Sequence, residues 1–105
     1  MADGLTFNEL RRANIERCEG SWHPIAEWTP TDWACAAAGE MGEACNFIKK
    51  LRRGEDISME TIGKELADTV TYLDLLAERL GINLGDAVRS KFNEVSLRIG
   101  SEVTL

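Results

Sequence analysis

Apolar residues return every three or four positions along most of this chain, the period of a helix; no stretch is read as an alternating strand. Four segments carry the pattern. The first is marked by Phe7, Leu10, Asn14 and Cys18. Thr6 with Glu9 makes a capping box at its start, and Gly20 supplies a stop. The second carries Trp33, Ala37, Met41, Ala44, Ile48 and Leu51. It opens at Thr29 or Thr31, with Pro30 in its first turn and Asp32 at N3, and runs to about Arg53 before Gly54. Ser58 caps the third, whose stripe is Ile62, Leu66, Thr69, Leu73, Leu76 and Leu80, ended by Gly81. The fourth starts at Asn83 with Asp86 at N3, shows Leu84, Val88, Val95 and Ile99, and ends near Arg98 before Gly100. Only Glu55 to Ser58 separates the second helix from the third, so the two form an antiparallel pair. The pattern predicts one all-α domain over residues 1–105: a four-helix, bundle-like fold around a central antiparallel pair.

Some polar residues interrupt these stripes, and they change the picture. Glu40 falls inside the apolar stripe of the second helix and Glu43 on its flank. Glu65, Asp68 and Tyr72 line one flank of the third. Residues three apart share a helix face, about 5–6 Å between Cβ atoms. The tetrapeptides Glu40–Glu43 and Glu65–Asp68 therefore each offer a carboxylate pair, and the antiparallel helices would bring the pairs together. Four such charges raise one another's pKa unless a cation intervenes. All-oxygen ligation points to Mg2+, with Mn2+ as the other candidate. A carboxylate cluster can hold two such ions for an in-line phosphoryl displacement. A ferritin-like di-iron site is disfavoured, because it needs histidines on the helices and His23 is the only histidine. Two plainer readings stand beside the metal: solvated helix faces, or an ion-pair cluster with Lys50, Lys64 or Lys91 as partners. Asn46 and Lys50 share the Glu43 face, at i+3 and i+7. Lys91 lies in the stripe of the last helix, where it either snorkels to water or reaches the acids or a phosphate. Asn14 and Arg17 read as the solvated edge of the first helix.

The segment Ser21 to Pro30 is too irregular for a regular element and rich in rings: Trp22, His23 and Trp28, with Trp33 just beyond. Packing explains each ring singly; a flat base stacked on them is the functional alternative. His23 reads as structural or solvated.

A length of 105 residues fits one domain with a thin core, so a monomer is not the default expectation. The net charge of −6 argues against binding duplex nucleic acid, which needs a basic face. It leaves room for a nucleotide whose phosphates are met by metal and a few local cations. Cys18, Cys35 and Cys45 are odd in number and contain no C-x-x-C, so they read as reduced thiols rather than a disulfide or zinc framework. No apolar run reaches the length of a membrane span and no signal-peptide pattern is evident, which gives a cytoplasmic expectation without membrane partners.

The motif Gly39-Glu40-Met41-Gly42-Glu43, then Glu65-Leu66-Ala67-Asp68, with Trp33 before and Asp74, Leu76-Ala77 and Lys91-Phe92-Asn93 after, resembles the MazG-like all-α nucleoside-triphosphate pyrophosphohydrolases. That superfamily includes dimeric dUTPases and dCTP pyrophosphatases. Its signature is E-x-x-E, a spacer, then E-x-x-D; here 21 residues lie between Glu43 and Glu65. The resemblance runs roughly from Asn14 to Arg98. It implies hydrolysis of a (d)NTP between the α and β phosphates, giving monophosphate and pyrophosphate. It also implies that Glu40, Glu43, Glu65 and Asp68 ligate Mg2+, with Glu40 and Glu43 as the catalytic acids. By the same resemblance Asn46, Lys50, Lys91 and Asn93 meet the substrate, and Asn14, Arg17 and Trp22 belong to a base pocket. A homodimer or homotetramer with sites at subunit junctions is expected, and a deoxypyrimidine such as dCTP is the substrate of the branch that looks nearest. Two departures accompany it. Gly39 stands where many members carry the first acid of a doubled pair, although the dCTP-type branch also has glycine there. Asn93 lies roughly 160–200° around the helix from Lys91. A non-catalytic nucleotide-sensing or helical interaction module on the same scaffold is the alternative function.

Overall fold

The computed structural model describes residues 4–105. Four α-helices and one short 3-10 turn make up the regular structure of these residues: α1 Phe7–Ser21, the turn Ile25–Glu27, α2 Pro30–Arg52, α3 Met59–Arg79 and α4 Leu84–Ile99. The helix starts follow local chemistry. Thr6, Thr29, Ser58 and Asn83 each accept a hydrogen bond from the backbone N–H three residues on, satisfying a donor that the first turn leaves open. At Thr29 the box is reciprocal, since the Asp32 carboxylate accepts from the Thr29 backbone N–H at 2.8 Å. That arrangement holds the Asp32 carboxyl below its usual range. Thr29→Ala is expected to cost about 1 kcal/mol in urea unfolding, the size of a lost N-cap.

The ends of α2 and α3 use backbone freedom that only glycine supplies cheaply. Gly54 (φ 89°) and Gly81 (φ 74°) turn left-handed. Past Gly81, the Ile82 N–H closes onto the Ala77 carbonyl at 2.8 Å. Gly20 does not act as a stop: α1 continues through it to Ser21 and breaks at Trp22. The break comes where Trp22 turns into the ring cluster and the Cys18 thiol donates to the His23 carbonyl.

The helix pair α2–α3 forms the spine, α1 lies against α3, and α4 meets α1 and α3. The core is small: Cys18, Ile25, Trp33 and Leu75, with Ile15, Trp28, Tyr72 and Leu76 packed around it. Trp33 is fully buried and its indole N–H donates to the Ile25 carbonyl at 3.0 Å, which joins α2 to the 3-10 turn.

A buried polar pin fastens α1 to α3. Asp74 is 1% exposed. The Arg11 fork donates to Asp74 at 3.0 Å, to Glu78 at 2.9 Å and to the Ile82 carbonyl at 2.9 Å. Asn14 is also buried, and its amide donates to the other Asp74 oxygen at 3.0 Å and to the Thr71 carbonyl at 3.3 Å. The expectation of Asn14 on a solvated edge is therefore corrected: its position in the stripe belongs to the core.

The helical stripes are wider than the surface this chain covers by itself. Ala37 and Ala44 are buried on α2, but Met41, Ile48 and Leu51 are 38–44% exposed. On α3 Ile62 is buried while Leu66, Leu73 and Leu80 stay open, and on α4 so do Val88 and Ile99. Among the described residues no helix is long and apolar enough to cross a membrane.

Candidate metal and nucleotide site

Glu40 and Glu43 sit one turn apart on α2, opposite Glu65 on α3. One carboxylate oxygen from each of the three lies within 4.8 Å of the other two. Small residues let the helices come this close: Ala37 and Ala44 bracket the acids on α2 and are buried in the helix pair. Asp68, the fourth acid of the pattern, is exposed one turn further along α3 and is not part of that close triad. Its charge still acts on Tyr72, whose hydroxyl is pushed up by burial first and then by Glu40 and Asp68.

The ion-pair alternative is not what the described residues show. Lys64 pairs with Glu60, Lys91 with Glu94 and Arg53 with Glu55, and none of the ion pairs reaches Glu40, Glu43, Glu65 or Asp68. Lys50 lies over the Phe47 ring, 5.8 Å from its centroid. One Glu65 oxygen, Oε2, is buried without a hydrogen-bond partner. A hydrogen bond with Glu40 first, then burial and Glu43, push the Glu65 carboxyl up to about 7. Three converging oxygens, one orphaned and none neutralised by a basic side chain, fit a hard divalent cation.

The pH consequence has a definite sign. A carboxyl whose folded pKa lies above its unfolded value binds protons more tightly in the native state, so its contribution is full below 4.5 and is lost as pH rises through about 7. Without divalent metal the chain is expected to melt at progressively lower temperature as pH rises from 5 to 8, and Glu65→Gln should flatten that slope. A slope unchanged in Glu65→Gln would assign it to other groups.

Beside the acids lies the ring cluster. His23 stacks on Trp28 at 4.7 Å and on Trp33 at 5.5 Å between centroids, with its side chain only 15% exposed. This confirms a structural histidine. Trp22 meets Trp33 edge-on at 5.7 Å and lies 6.4 Å from Tyr72. At 49% exposed, Trp22 is the one tryptophan of the three with a large open surface. Arg17 is exposed on the same side, its charge opposing the rise at Tyr72. Tyr72 connects rings to acids; periodicity puts it on the acidic flank, and its ring lies 6.1 Å from Trp33.

The remaining contact candidates divide. Asn46 and Lys50 continue the Glu43 face of α2 toward its C-terminus. Asn14 has its amide nitrogen engaged in the pin to α3. Lys91 takes the snorkelling course: its side chain is exposed, pairs with Glu94 at 3.2 Å and borders an apolar groove on α4 rather than reaching the acids. Asn93 holds the tail, exchanging hydrogen bonds with the Leu105 backbone at 2.9 and 3.2 Å. Within this chain, those two residues are therefore occupied away from the carboxylates.

No family model matches the chain, and no curated protein or solved structure does either.

Proposed function

We propose that this chain is a Mg2+-dependent pyrophosphohydrolase of (deoxy)nucleoside triphosphates, of the MazG-like kind, that cleaves between the α and β phosphates. The observation that carries the proposal is the convergence of Glu40, Glu43 and Glu65 without a basic partner, next to an aromatic cluster with one open indole.

The order of groups along the helix pair supports a direction for the substrate. Trp33 and Tyr72 mark one end, Glu40 and Asp68 follow, then Glu43 and Glu65, then Asn46 and Lys50. At 1.5 Å per residue, Trp33 to Glu40 spans about 10 Å and Glu40 to Lys50 about 15 Å, the scale of a nucleoside followed by its phosphates. In this reading Trp22 and Tyr72 hold the base, with Arg17 at the rim. Glu40, Glu43, Glu65 and Asp68 would hold the metal, which when bound screens the phosphate charge and activates a water. Lys50 and Asn46 face the outer phosphates. Water attacks the α-phosphorus, the bond to the α–β bridging oxygen breaks, and pyrophosphate leaves with that electron pair. A carboxylate of the cluster takes the proton of the attacking water and passes it to solvent. Glu65 must first give up the proton it holds near neutrality, so metal binding releases a proton and strengthens as pH rises.

The test is a panel of (d)NTPs with Mg2+, read for products. Monophosphate with pyrophosphate supports α–β cleavage. Orthophosphate instead would reject it, and nucleotide binding without turnover would leave a sensor on the same scaffold.

A further inference from the structure

We infer that Lys50, Arg53 and Lys49 form a subsite for a fourth phosphate beyond the acids, so that the cleft takes nucleotides whose phosphate chain is longer than three. The inference rests on the nucleotide reading of the cleft and extends it to the outer end of the substrate.

The run Lys49-Lys50-Leu51-Arg52-Arg53 holds four of the chain's 12 lysines and arginines and no acid. A helix C-terminus carries the equivalent of about half a negative charge, which a single cation answers. Four exceed that need, and in a chain of net charge −6 they concentrate positive potential at one end of the α2–α3 pair. Lys49, Lys50 and Arg52 enter none of the ion pairs of the described residues. Arg53 pairs with Glu55, but the two side chains are 57% and 49% exposed, and a pair so open to water has little net worth. The guanidinium fork matches a phosphate as well as a carboxylate, so Glu55 gives way to a phosphate at small cost.

The cations continue the acid face. At 100° per residue, Asn46, Lys50 and Arg53 follow Glu43 within about 80° of arc; Lys49 lies about 40° beyond, and Arg52 faces the other way. Lys50 is half-buried and lies over the Phe47 ring, which shares this side of α2. On the opposite wall, Thr61 and the cap Ser58 extend the Glu65 line toward the start of α3. The antiparallel register that sets Glu43 by Glu65 brings Lys50 level with Ser58, seven positions along each helix. The Ser58 and Thr61 hydroxyls share one hydrogen bond at 2.8 Å, which leaves the second hydroxyl proton to donate. From Glu43, Lys50 is about 10 Å and Arg53 about 15 Å along the helix. With the α-phosphorus at the acids, the β and γ phosphates extend to Lys50, and the next phosphate falls between Lys50 and Arg53. Hydrolysis then follows the same course. Water attacks the α-phosphorus, the bond to the α–β bridging oxygen breaks, and tripolyphosphate leaves with the electron pair. The proton of the water passes through a carboxylate to solvent.

The test compares the 5′-tetraphosphate and the triphosphate of one nucleoside, with Mg2+ at low ionic strength. Inorganic tetrapolyphosphate and pyrophosphate are measured beside them by calorimetry. The tetraphosphate should show a KM about 5- to 10-fold lower at similar kcat, because contacts remote from the reacting bond hold ground state and transition state alike. Its products should be the monophosphate and tripolyphosphate, and its advantage should shrink as salt is added. Arg53→Ser combined with Lys49→Ser, both at exposed positions, should bring the ratio of the two KM values near 1. Lys64→Ser, exposed and paired with Glu60, should leave the ratio as it is. A tetraphosphate no better than the triphosphate, or a ratio that survives the double variant, would overturn the inference and leave α–β hydrolysis standing. If no nucleotide is turned over, the hydrolase reading falls and calorimetry decides the subsite. Tetrapolyphosphate held about 5-fold or more tighter than pyrophosphate, with the difference lost in the double variant, upholds it; equal binding overturns it.

Discussion

Arg11→Ala is expected to cost about 3–5 kcal/mol in urea unfolding, the scale of breaking a buried ion pair. The reason is asymmetric. Asp74 is 1% exposed, and among the described residues Arg11 is the only cation that pairs with it. Removing the guanidinium leaves a buried carboxylate with the Asn14 amide alone, while Glu78 and the Ile82 carbonyl turn to water. For a domain of this size the melting temperature should fall by roughly 15–30 °C, a large share of an ordinary total stability. Replacing both ends, Arg11→Met with Asp74→Leu, should recover much of the loss, because the desolvation cost of the charge disappears with the charge. A loss below about 1 kcal/mol for Arg11→Ala would mean that water reaches Asp74 once the arginine is gone.

Glu40→Gln is expected to lower pyrophosphate release by at least about 100-fold, the scale on which metal sites respond to altered ligation. Mg2+ held as proposed should raise the melting temperature of the native chain, and the same change should blunt that rise. Glu40 contributes to the carboxylate triad and is first among the causes that raise Glu65. Its neutral amide should therefore also let Glu65 ionise at lower pH. In metal-free buffer, Glu40→Gln should be at least as stable as the native chain at pH 8, since one of three mutually repelling charges is gone. Lost activity with lost stability would point to a structural glutamate; lost activity with retained stability and a lost Mg2+ response marks a ligand.

The resemblance to MazG-like proteins rests on the paired acids Glu40, Glu43, Glu65 and Asp68 with weaker flanking matches, and the structure adds placement to only some of the residues it implies. Glu40, Glu43 and Glu65 come together; Asp68 stands one turn outside. Arg17 and Trp22 reach the ring side of the acids, whereas Asn14, Lys91 and Asn93 have other partners within the chain. A lysine in a helical stripe and an asparagine on the opposite face carry no sign of their partners in sequence. Those depend on where α4 and the tail pass, and no local pattern encodes that. The Arg11–Asp74 pair was invisible for the same reason: the residues are 63 positions apart, and an acid and a base on separate helices look like ordinary surface charge.

The local order of the chain alone decided the helices. Threonine, serine and asparagine caps with left-handed glycines act within a few residues, so their positions set the starts at Thr6, Thr29, Ser58 and Asn83 and the ends of α2 and α3. The 3.6-residue period likewise placed two acids of α2 and two of α3 on shared faces. Which of those faces meet, which apolar arc stays open, and whether a carboxylate finds an arginine or another carboxylate are matters of distance between helices. Only the packing of α1, α2 and α3 against one another decided them, because burial and Coulomb interactions depend on separation in space and not on separation in sequence.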